Sequence, residues 1–349
     1  MEQPFEHIPV LLGEVVAALA PALEPPLEPP LERNGLEGAE PGPGGVPGPP
    51  GPRPLLVDCT LGGGGHAAAL LGAAPHAALL GLDRDPDALT AAGRRLATFP
   101  GRVTLMQRRF GDLAGALSEL AGGARDVRAV LYDLGVSSPH FDRPDRGFGY
   151  RAEGPLDMRM DPGQDLSAAD VVNGYPEAEL VRILFAFGEE RFARRIAAAI
   201  VARRDRQPFS TTTDLADTVR GAIPAAARRQ GPHPARRTFQ ALRIEVNGEL
   251  AELEASLPQA IAALAPGGRV AVISYHSLED RIVKRAFADG AAGCRCPRDL
   301  PVCVCGARAT LRLVTRKAIT PGAGELASNP RAASAHLRIA ERLAPAEAA

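Results

Sequence analysis

A short stretch that follows an apolar run carries the strongest chemical signal in the chain. Val57 and Asp58 end the run, glycines occupy positions 62–65, and an alanine-rich segment begins after His66. Glycines in such a turn adopt positive φ angles and let backbone amides approach a ligand, and a helix that follows presents its positive end. A second apolar run ends at Asp83, at an offset that suits an acid binding a ribose diol. The pattern predicts a site for an adenosine-containing ligand.

The glycine spacing alone leaves the cofactor open. Gly62-x-Gly64-x-x-Ala67 also fits the fingerprint of dinucleotide-binding enzymes, so a nicotinamide-dependent oxidoreductase is an alternative at this point. Residues elsewhere in the chain must decide between the two.

Further polar and aromatic residues follow the ends of later apolar runs. Phe110 follows the third run, Asp133 ends the fourth, and His276 follows the fifth. In open α/β sheets, ligands bind outside the carboxyl ends of the strands. We therefore expect Asp58, Asp83, Phe110, Asp133 and His276 to surround one cleft.

The elements that must position these residues alternate between strands and helices. Apolar runs separated by helical segments predict four strands, at 55–59, 77–82, 103–107 and 127–132. This alternation predicts an α/β fold with a doubly wound parallel sheet. The next strand, predicted at 269–275, follows more than a hundred residues later, which indicates an inserted domain. Alternating segments at 310–316 and 334–341 predict an antiparallel strand pair at the edge of the sheet.

The inserted region has the apolar spacing of helices. Ser167, Pro176 and Thr211 each suit a helix start. A single long helix is then predicted from Thr238 to Leu264, returning the chain to the sheet. We expect an all-α insert.

These elements divide the chain into a split core and an insert. The predicted boundaries are 1–140 for the first part of the core, 141–245 for the inserted helical domain and 246–349 for the second part of the core. An amphipathic helix is predicted at 10–23, and residues 24–54 after it include eleven prolines and seven glycines. A segment with so few apolar side chains buries too little surface to fold, so we expect a disordered insertion.

Composition narrows the class of protein. The chain has 349 residues, 45% of them hydrophobic, and a net charge of −1, which suits a globular protein and argues against a generic polyanion binder. No apolar run has the length of a membrane span and no signal-peptide pattern begins the chain, so we expect a cytoplasmic protein. Between 281 and 342, twelve Lys and Arg outnumber four Asp and Glu. This segment can face phosphates, although compositional bias towards arginine is an equal alternative.

Four of the five cysteines lie close together near the C-terminus, as Cys294-x-Cys296 and Cys303-x-Cys305. Four thiolates can bind zinc, but the single intervening residue is tighter than the usual spacing and no histidine is near. We favour a reduced loop without metal.

Nine ordered motifs resemble one known family. They are His7-x-Pro9-Val10-Leu11-Leu12, Asp58-x-Thr60-x-Gly62-x-Gly64-Gly65-His66, Leu82-Asp83-Arg84-Asp85-Pro86, Asp133-Leu134-Gly135-Val136-Ser137-Ser138-Pro139, Arg146-Gly147-Phe148, Gly154-Pro155-Leu156-Asp157-Met158-Arg159-Met160-Asp161-Pro162, Gly188-Glu189-Glu190-Arg191-Phe192, Arg237-Thr238-Phe239-Gln240-Ala241 and Ser274-Tyr275-His276-Ser277-Leu278-Glu279-Asp280-Arg281. Together they resemble the ribosomal RNA small subunit methyltransferase H family, also called MraW, from His7 to Arg342 apart from the proline-rich insertion.

The resemblance implies a Rossmann-like class I methyltransferase sheet and an S-adenosylmethionine-dependent enzyme. Its substrate would be N4 of one cytidine in the decoding region of small-subunit (16S) ribosomal RNA. The implied partner is that RNA or the small ribosomal subunit, and neither a membrane nor DNA is expected.

The resemblance also assigns donor-binding positions. They are Gly64, Gly65 and His66 on the methionine side, Asp83 for the ribose, Phe110 for the adenine, and Asp133. At the family's last donor-binding position, where glutamine is usual, this chain has His140, which also forms hydrogen bonds but titrates near neutrality.

Asp133 is the candidate catalytic residue. The exocyclic amine of cytosine is a poor nucleophile, so an enzyme must orient it and stabilise the charge that develops on nitrogen. Asp133 can orient the amine or take its proton, and a purely donor-binding role is the equal alternative. For His276 and Glu279 we favour capping of the next helix over contact with RNA.

The target base must be unpaired and held against a flat side chain. The aromatic candidates near the predicted cleft are Phe141, Phe148, Tyr150 and Tyr275. A non-catalytic RNA-binding assembly factor that keeps a nucleotide pocket remains a further alternative.

Overall fold

The computed structural model describes residues 9–24, 53–120, 126–136, 141–229, 233–293, 296, 300, 302 and 304–345. Most of the predicted insertion, residues 25–52, therefore lies outside the described part of the chain, as do His140, Cys294 and Cys303.

Seven strands form one sheet. They are β1 (Pro54–Asp58), β2 (Ala78–Asp83), β3 (Val103–Gln107), β4 (Asp126–Asp133), β5 (Leu264–Ser274), β6 (Leu311–Leu313) and β7 (His336–Arg342). The spatial order is β3-β2-β1-β4-β5-β7-β6. The first five strands pair in parallel, whereas β7 is antiparallel to both β5 and β6. The predicted doubly wound sheet and its antiparallel C-terminal pair are confirmed.

Thirteen α-helices occur in the described ranges. They are α1 (Leu12–Leu19), α2 (Gly65–Ala73), α3 (Pro86–Leu96), α4 (Leu113–Glu119), α5 (Ala168–Gly174), α6 (Glu177–Ala186), α7 (Ala193–Arg204), α8 (Thr212–Ala222), α9 (Ala225–Arg228), α10 (Arg236–Asn247), α11 (Glu249–Ala263), α12 (Ser277–Ala291) and α13 (Ala323–Ser328). Short 3₁₀ turns at Ala20–Leu23, Phe110–Asp112, Pro144–Arg146 and Pro330–Ser334 complete the set.

Helices cover both faces of the sheet because its central strands are apolar on both sides. Leu56 of β1 faces a core shared with α1, α2 and α3, whereas Leu55 and Val57 face a core shared with α4, α11 and α12. All five residues of β1 are buried. Such two-sided burial is typical of parallel strands.

The helices α5 to α10 surround a separate apolar core that contains Leu180, Ile196 and Phe239. Ser167 caps α5 with a capping box, and the Thr211 side chain accepts from the Asp214 amide at the start of α8. The helix starts predicted at Ser167, Pro176 and Thr211 are therefore correct.

The single helix predicted from Thr238 to Leu264 is wrong. Gly248 adopts φ 64° and is both the residue after the end of α10 and the residue before the start of α11. This left-handed conformation is inexpensive for glycine and costly for other residues. The N-terminal helix is also shorter than predicted, since α1 passes into a 3₁₀ turn at Ala20.

Across the described ranges, no helix combines the length and apolar character needed to cross a bilayer.

Candidate active site

A cleft of about 960 Å³ lies at the carboxyl ends of the strands, between the sheet and the helical insert. Its position follows from the strand order. The chain passes from β1 outward to β3 and then crosses to β4 on the other side of β1. Crevices form where the strand order reverses in this way. Asp58 and Asp133 end the two strands that flank this crevice.

The glycine loop forms one wall of the cleft. Gly62 and Gly64 have φ angles of 51° and 74°, and α2 begins directly after Gly64. Gly62, Gly63 and Gly65 line the cleft. Gly64 instead turns towards α3, where a Cβ atom would lie 3.3 Å from the Cβ of Ala92. The structure thus places Gly64 behind the cleft surface, where it shapes the loop.

Asp83 is oriented by two backbone donors. The Gly62 amide donates to Oδ2 at 2.8 Å, and the Asp85 amide donates to Oδ1 at 2.9 Å. These bonds join the end of β2 to the glycine loop, and Asp83 lines the cleft. The predicted ribose acid therefore lies beside the glycine loop.

Phe110 lies in the 3₁₀ turn that follows β3 and also lines the cleft. Its ring meets Tyr132 edge to face, with ring centroids 5.8 Å apart and an interplanar angle of 87°. The buried Tyr132 hydroxyl pairs in turn with Ser256 Oγ at 2.5 Å. This packing holds Phe110 in place as a flat apolar surface.

Tyr275, His66 and Thr60 are among the neighbours of Asp133. The Tyr275 hydroxyl donates to its Oδ1 at 2.8 Å, and His66 Nδ1 is 3.6 Å from its Oδ2. The Asp133 amide donates to the Thr60 hydroxyl at 2.6 Å. Sequence reasoning identified Asp133 but missed Thr60, which lies inside the glycine-loop motif.

Asp58 is buried beneath the same wall, with 2% of its surface exposed. Burial, reinforced by the charges of Asp133 and Asp83, raises the pKa of Asp58 to about 7, although the Thr60 amide opposes this. Three carboxyl groups therefore share this end of the sheet, and the surroundings of Asp58 favour its protonated form more than water does.

The insert supplies the opposite wall. Tyr150 stacks on His233 with ring centroids 4.5 Å apart, and it meets Phe239 edge to face. All three residues line the cleft together with Arg236. Burial, followed by the charge of Arg151, lowers the pKa of His233, so its ring is mainly neutral at pH 7. Nothing in the sequence pattern had singled out His233.

The four aromatic candidates occupy different environments. Phe141 is 44% exposed at the rim, and Phe148 is 3% exposed within the core of the insert. Tyr150 belongs to the insert wall, and Tyr275 holds Asp133. All four line the cleft.

His276 and Glu279 form a capping box at the start of α12, as favoured from the sequence. The Glu279 amide faces His276 Nδ1, and the Glu279 carboxylate accepts from the Tyr275 and His276 amides. Although burial opposes the shift, His276 and Arg243 hold the pKa of Glu279 below its usual value. His276 also lines the cleft, so a capping residue lies next to the site.

The predicted donor-binding position His140 lies outside the described residues. So do two of the four clustered cysteines, Cys294 and Cys303, whereas Cys296 and Cys305 accept backbone hydrogen bonds at sulfur. In the part of the chain that the structure describes, no three His, Cys, Asp or Glu side chains come together as a metal site.

The family model and the similar proteins all indicate one family. A model of the MraW methylase family matches residues 4–343. A ribosomal RNA small subunit methyltransferase H from Heliobacterium mobile is 51% identical over 340 residues, which cover 97% of this chain and 99% of that protein. One from Acidothermus cellulolyticus is 56% identical over 292 residues, which cover 84% of this chain and 88% of that protein.

Similarity to solved structures is weaker. An rRNA methylase from Streptococcus thermophilus superposes with a TM-score of 0.35 at 12% identity, over 83% of this chain and 87% of that chain. A superposition at this level adds no argument to the family match.

Proposed function

The chain belongs to the MraW methylase family, and we propose that it methylates N4 of one cytidine in the decoding region of small-subunit (16S) ribosomal RNA. The coarser activity, methylation of ribosomal RNA with S-adenosylmethionine as donor, follows from family membership. The choice of base, atom and RNA region is the proposal.

The walls of the cleft fit the donor. The loop at 62–65 presents backbone with positive φ at two positions, which suits close approach of a ligand. Asp83 is oriented at the expected ribose position, and Phe110 offers a supported ring for the adenine. We assign Gly65 and His66 to the methionine side, with Gly64 shaping the loop. When bound, S-adenosylmethionine supplies an electrophilic methyl group.

Asp133 is the residue that we assign to the cytosine amine. The nitrogen lone pair is delocalised into the ring, and positive charge develops on nitrogen when it is methylated. A carboxylate held by Tyr275 and facing the cleft can orient the amine and accept its proton. The same group lies close enough to the glycine loop to contact the donor as well.

The insert wall suits an extruded base. Tyr150, His233 and Phe239 form an aromatic surface across the cleft from Asp133, and a base on which an enzyme acts must leave its stack. Arg236, exposed on the same wall, can meet phosphate. We propose that residues 141–245 act as a substrate domain between the two parts of the core, 1–140 and 246–349.

The small ribosomal subunit, or its RNA at an earlier stage, is the proposed partner, and the cytoplasm is the proposed location. His140 is retained as a proposed donor-binding residue on the family resemblance alone.

The observation that carries the proposal is the position of Asp133, at the crevice of the sheet and beside the glycine loop, in a chain of this family. The test compares small-subunit ribosomal RNA from cells with the gene, without it, and with an Asp133→Asn copy. Nucleoside mass spectrometry is expected to find N4-methylcytidine only with the wild-type copy.

The purified chain should also add this methyl group to small subunits from the deletion strain. Methylation at carbon 5, or on another base, would contradict the choice of atom. Unchanged RNA in the deletion strain would contradict the substrate.

A further inference from the structure

The surroundings of His66 determine which ring nitrogen carries hydrogen. Its Nε2 lies 2.9 Å from the carbonyl oxygen of Val10. A carbonyl oxygen only accepts, so Nε2 must donate. The side chain is 6% exposed, which leaves little contact with water. Neutral His66 is therefore protonated at Nε2 and carries a lone pair on Nδ1.

That lone pair faces a carboxylate. Nδ1 is 3.6 Å from Asp133 Oδ2, and the Tyr275 hydroxyl fixes the other oxygen. Two acceptors that face each other repel, whereas one proton between them makes a hydrogen bond. A movement of about 0.7 Å would bring the two atoms to hydrogen-bond distance. The pair is arranged to take up one proton.

We propose that His66 is a positioning residue that receives, through Asp133, the proton lost by the cytosine amine. This inference rests on the proposed function. The amine nitrogen bonds to the methyl carbon while the methyl–sulfur bond breaks and leaves its electron pair on sulfur. One N–H bond then breaks, and its electron pair returns to nitrogen.

The released proton goes first to Asp133 Oδ2 and then to His66 Nδ1. The result is an imidazolium between the Asp133 carboxylate and the Val10 carbonyl oxygen, both of which accept from it. This arrangement makes Asp133 a stronger base than a carboxylate alone, because the proton is held by two groups. After product release the proton passes to water.

Five further charged groups among the described residues lie near the pair or its direct neighbours. Asp133 and Asp83 act electrostatically on Asp58, and Glu279 and Glu325 act on the Tyr275 hydroxyl that contacts Asp133. Arg95 lies beside Gly65, the residue before His66. Four are acidic and favour a proton on the pair, and Arg95 opposes it. All five are retained in the variants below, so differences between pH profiles come from the substituted residue.

The first test compares His66→Gln with the wild-type chain. Glutamine can still donate to Val10 but cannot take up a proton. Single-turnover methylation of small subunits is followed from about pH 5.5 to about 9.5. In His66→Gln the plateau rate should fall at least about tenfold, and the half-maximal rate should occur about one pH unit lower or more. Because His66 is also assigned to the methionine side of the donor, affinity for S-adenosylmethionine, measured by calorimetry, should fall by a smaller factor than the rate does.

His76→Gln is the matched control, because His76 is an exposed histidine in the turn before β2 and does not line the cleft. It should leave the rate and its pH profile unchanged.

Tyr275→Phe is a second variant, and its pH profile should shift in the direction opposite to that of His66→Gln. The Tyr275 hydroxyl donates to the charged form of Asp133, so its loss should move the half-maximal rate to higher pH.

Nitrogen-15 NMR of the histidines in the free chain gives a readout without turnover. It should show neutral His66 protonated at Nε2.

An Nδ1-protonated neutral ring overturns the inference. So does a His66→Gln chain whose rate falls only in step with its donor affinity, at an unchanged pH profile. A wild-type chain that methylates no cytidine N4 refutes the proposed function and this inference together. Activity in the wild type with an unchanged profile in the variant refutes the inference alone.

Discussion

Asp58 should make the stability of the folded chain depend on pH in an unusual direction. The side chain is 2% exposed, and its Oδ1 accepts from the Thr60 amide at 3.2 Å. That single bond does not offset the loss of water, and the nearby charges of Asp133 and Asp83 add to the cost of ionisation. Burial, first of all, raises the pKa of Asp58 from 3.8 to about 7.

The sign follows from proton linkage. The folded chain binds this proton more tightly than the unfolded chain does, so the contribution of Asp58 to stability is complete below pH 3.8 and is lost as the pH rises to about 7. Most carboxylates act in the opposite sense. Between about pH 5 and the folded-state pKa lie about two pH units, each equivalent to roughly 1.4 kcal/mol. The loss above pH 5 is thus about 3 kcal/mol, as an order of magnitude.

Asp58→Asn keeps the size of the side chain and removes its charge. Unfolding in urea, followed by circular dichroism at about pH 5 and about pH 8.5, gives the free energy of unfolding at each pH. Between these values the wild-type chain should lose about 3 kcal/mol more than Asp58→Asn. Asp289→Asn, at a side chain 67% exposed in α12, is the control and should follow the wild-type chain. Parallel pH dependence of wild type and Asp58→Asn would refute the reasoning.

Four further predictions concern the donor site and the segments beyond it. Asp133→Asn should reduce single-turnover methylation by about two orders of magnitude or more with only a modest loss of donor affinity; equal losses would leave Asp133 a donor ligand. Gly64→Val should abolish donor binding in calorimetry, because φ is 74° and Ala92 is 3.3 Å from the added Cβ; wild-type affinity would contradict this. Deletion of residues 29–50 should leave the melting temperature nearly unchanged, since proline and glycine bury little surface; a large fall would show packing. Elemental analysis should find less than one zinc per chain, and stoichiometric metal would make the clustered cysteines a structural site.

The strands of the parallel sheet could be predicted from the sequence because each of them coincides with its own apolar run. The apolar run of β1, buried at all five positions, and similar runs in its neighbours indicate the positions of the strands, and their alternation with helices indicates parallel pairing. The break between α10 and α11 was not predictable in this way, because apolar spacing continues on both sides of Gly248. Distant contacts stabilise the break: Arg84 donates to the Asn247 carbonyl at 2.8 Å from 163 residues away. Helical periodicity contains no signal of such a bond.

The candidate site likewise contains residues that local sequence predicts and contacts that only the folded chain brings together. Because parallel strands share an edge, the strand ends bring Asp83 and Asp133 to one cleft, whereas Asp58, also expected there, is buried behind its wall. The partners of Asp133 could not be predicted, since Tyr275 is 142 residues away and no spacing rule joins the two. His66 shows the consequence most clearly. Its place in the glycine motif indicates donor binding, whereas the Val10 carbonyl, which only tertiary folding brings to its ring, sets the tautomer that turns Nδ1 towards a carboxylate. The local motif therefore predicts where an adenosine-containing ligand binds, whereas the proposed route of the proton depends on contacts that exist only in the folded chain.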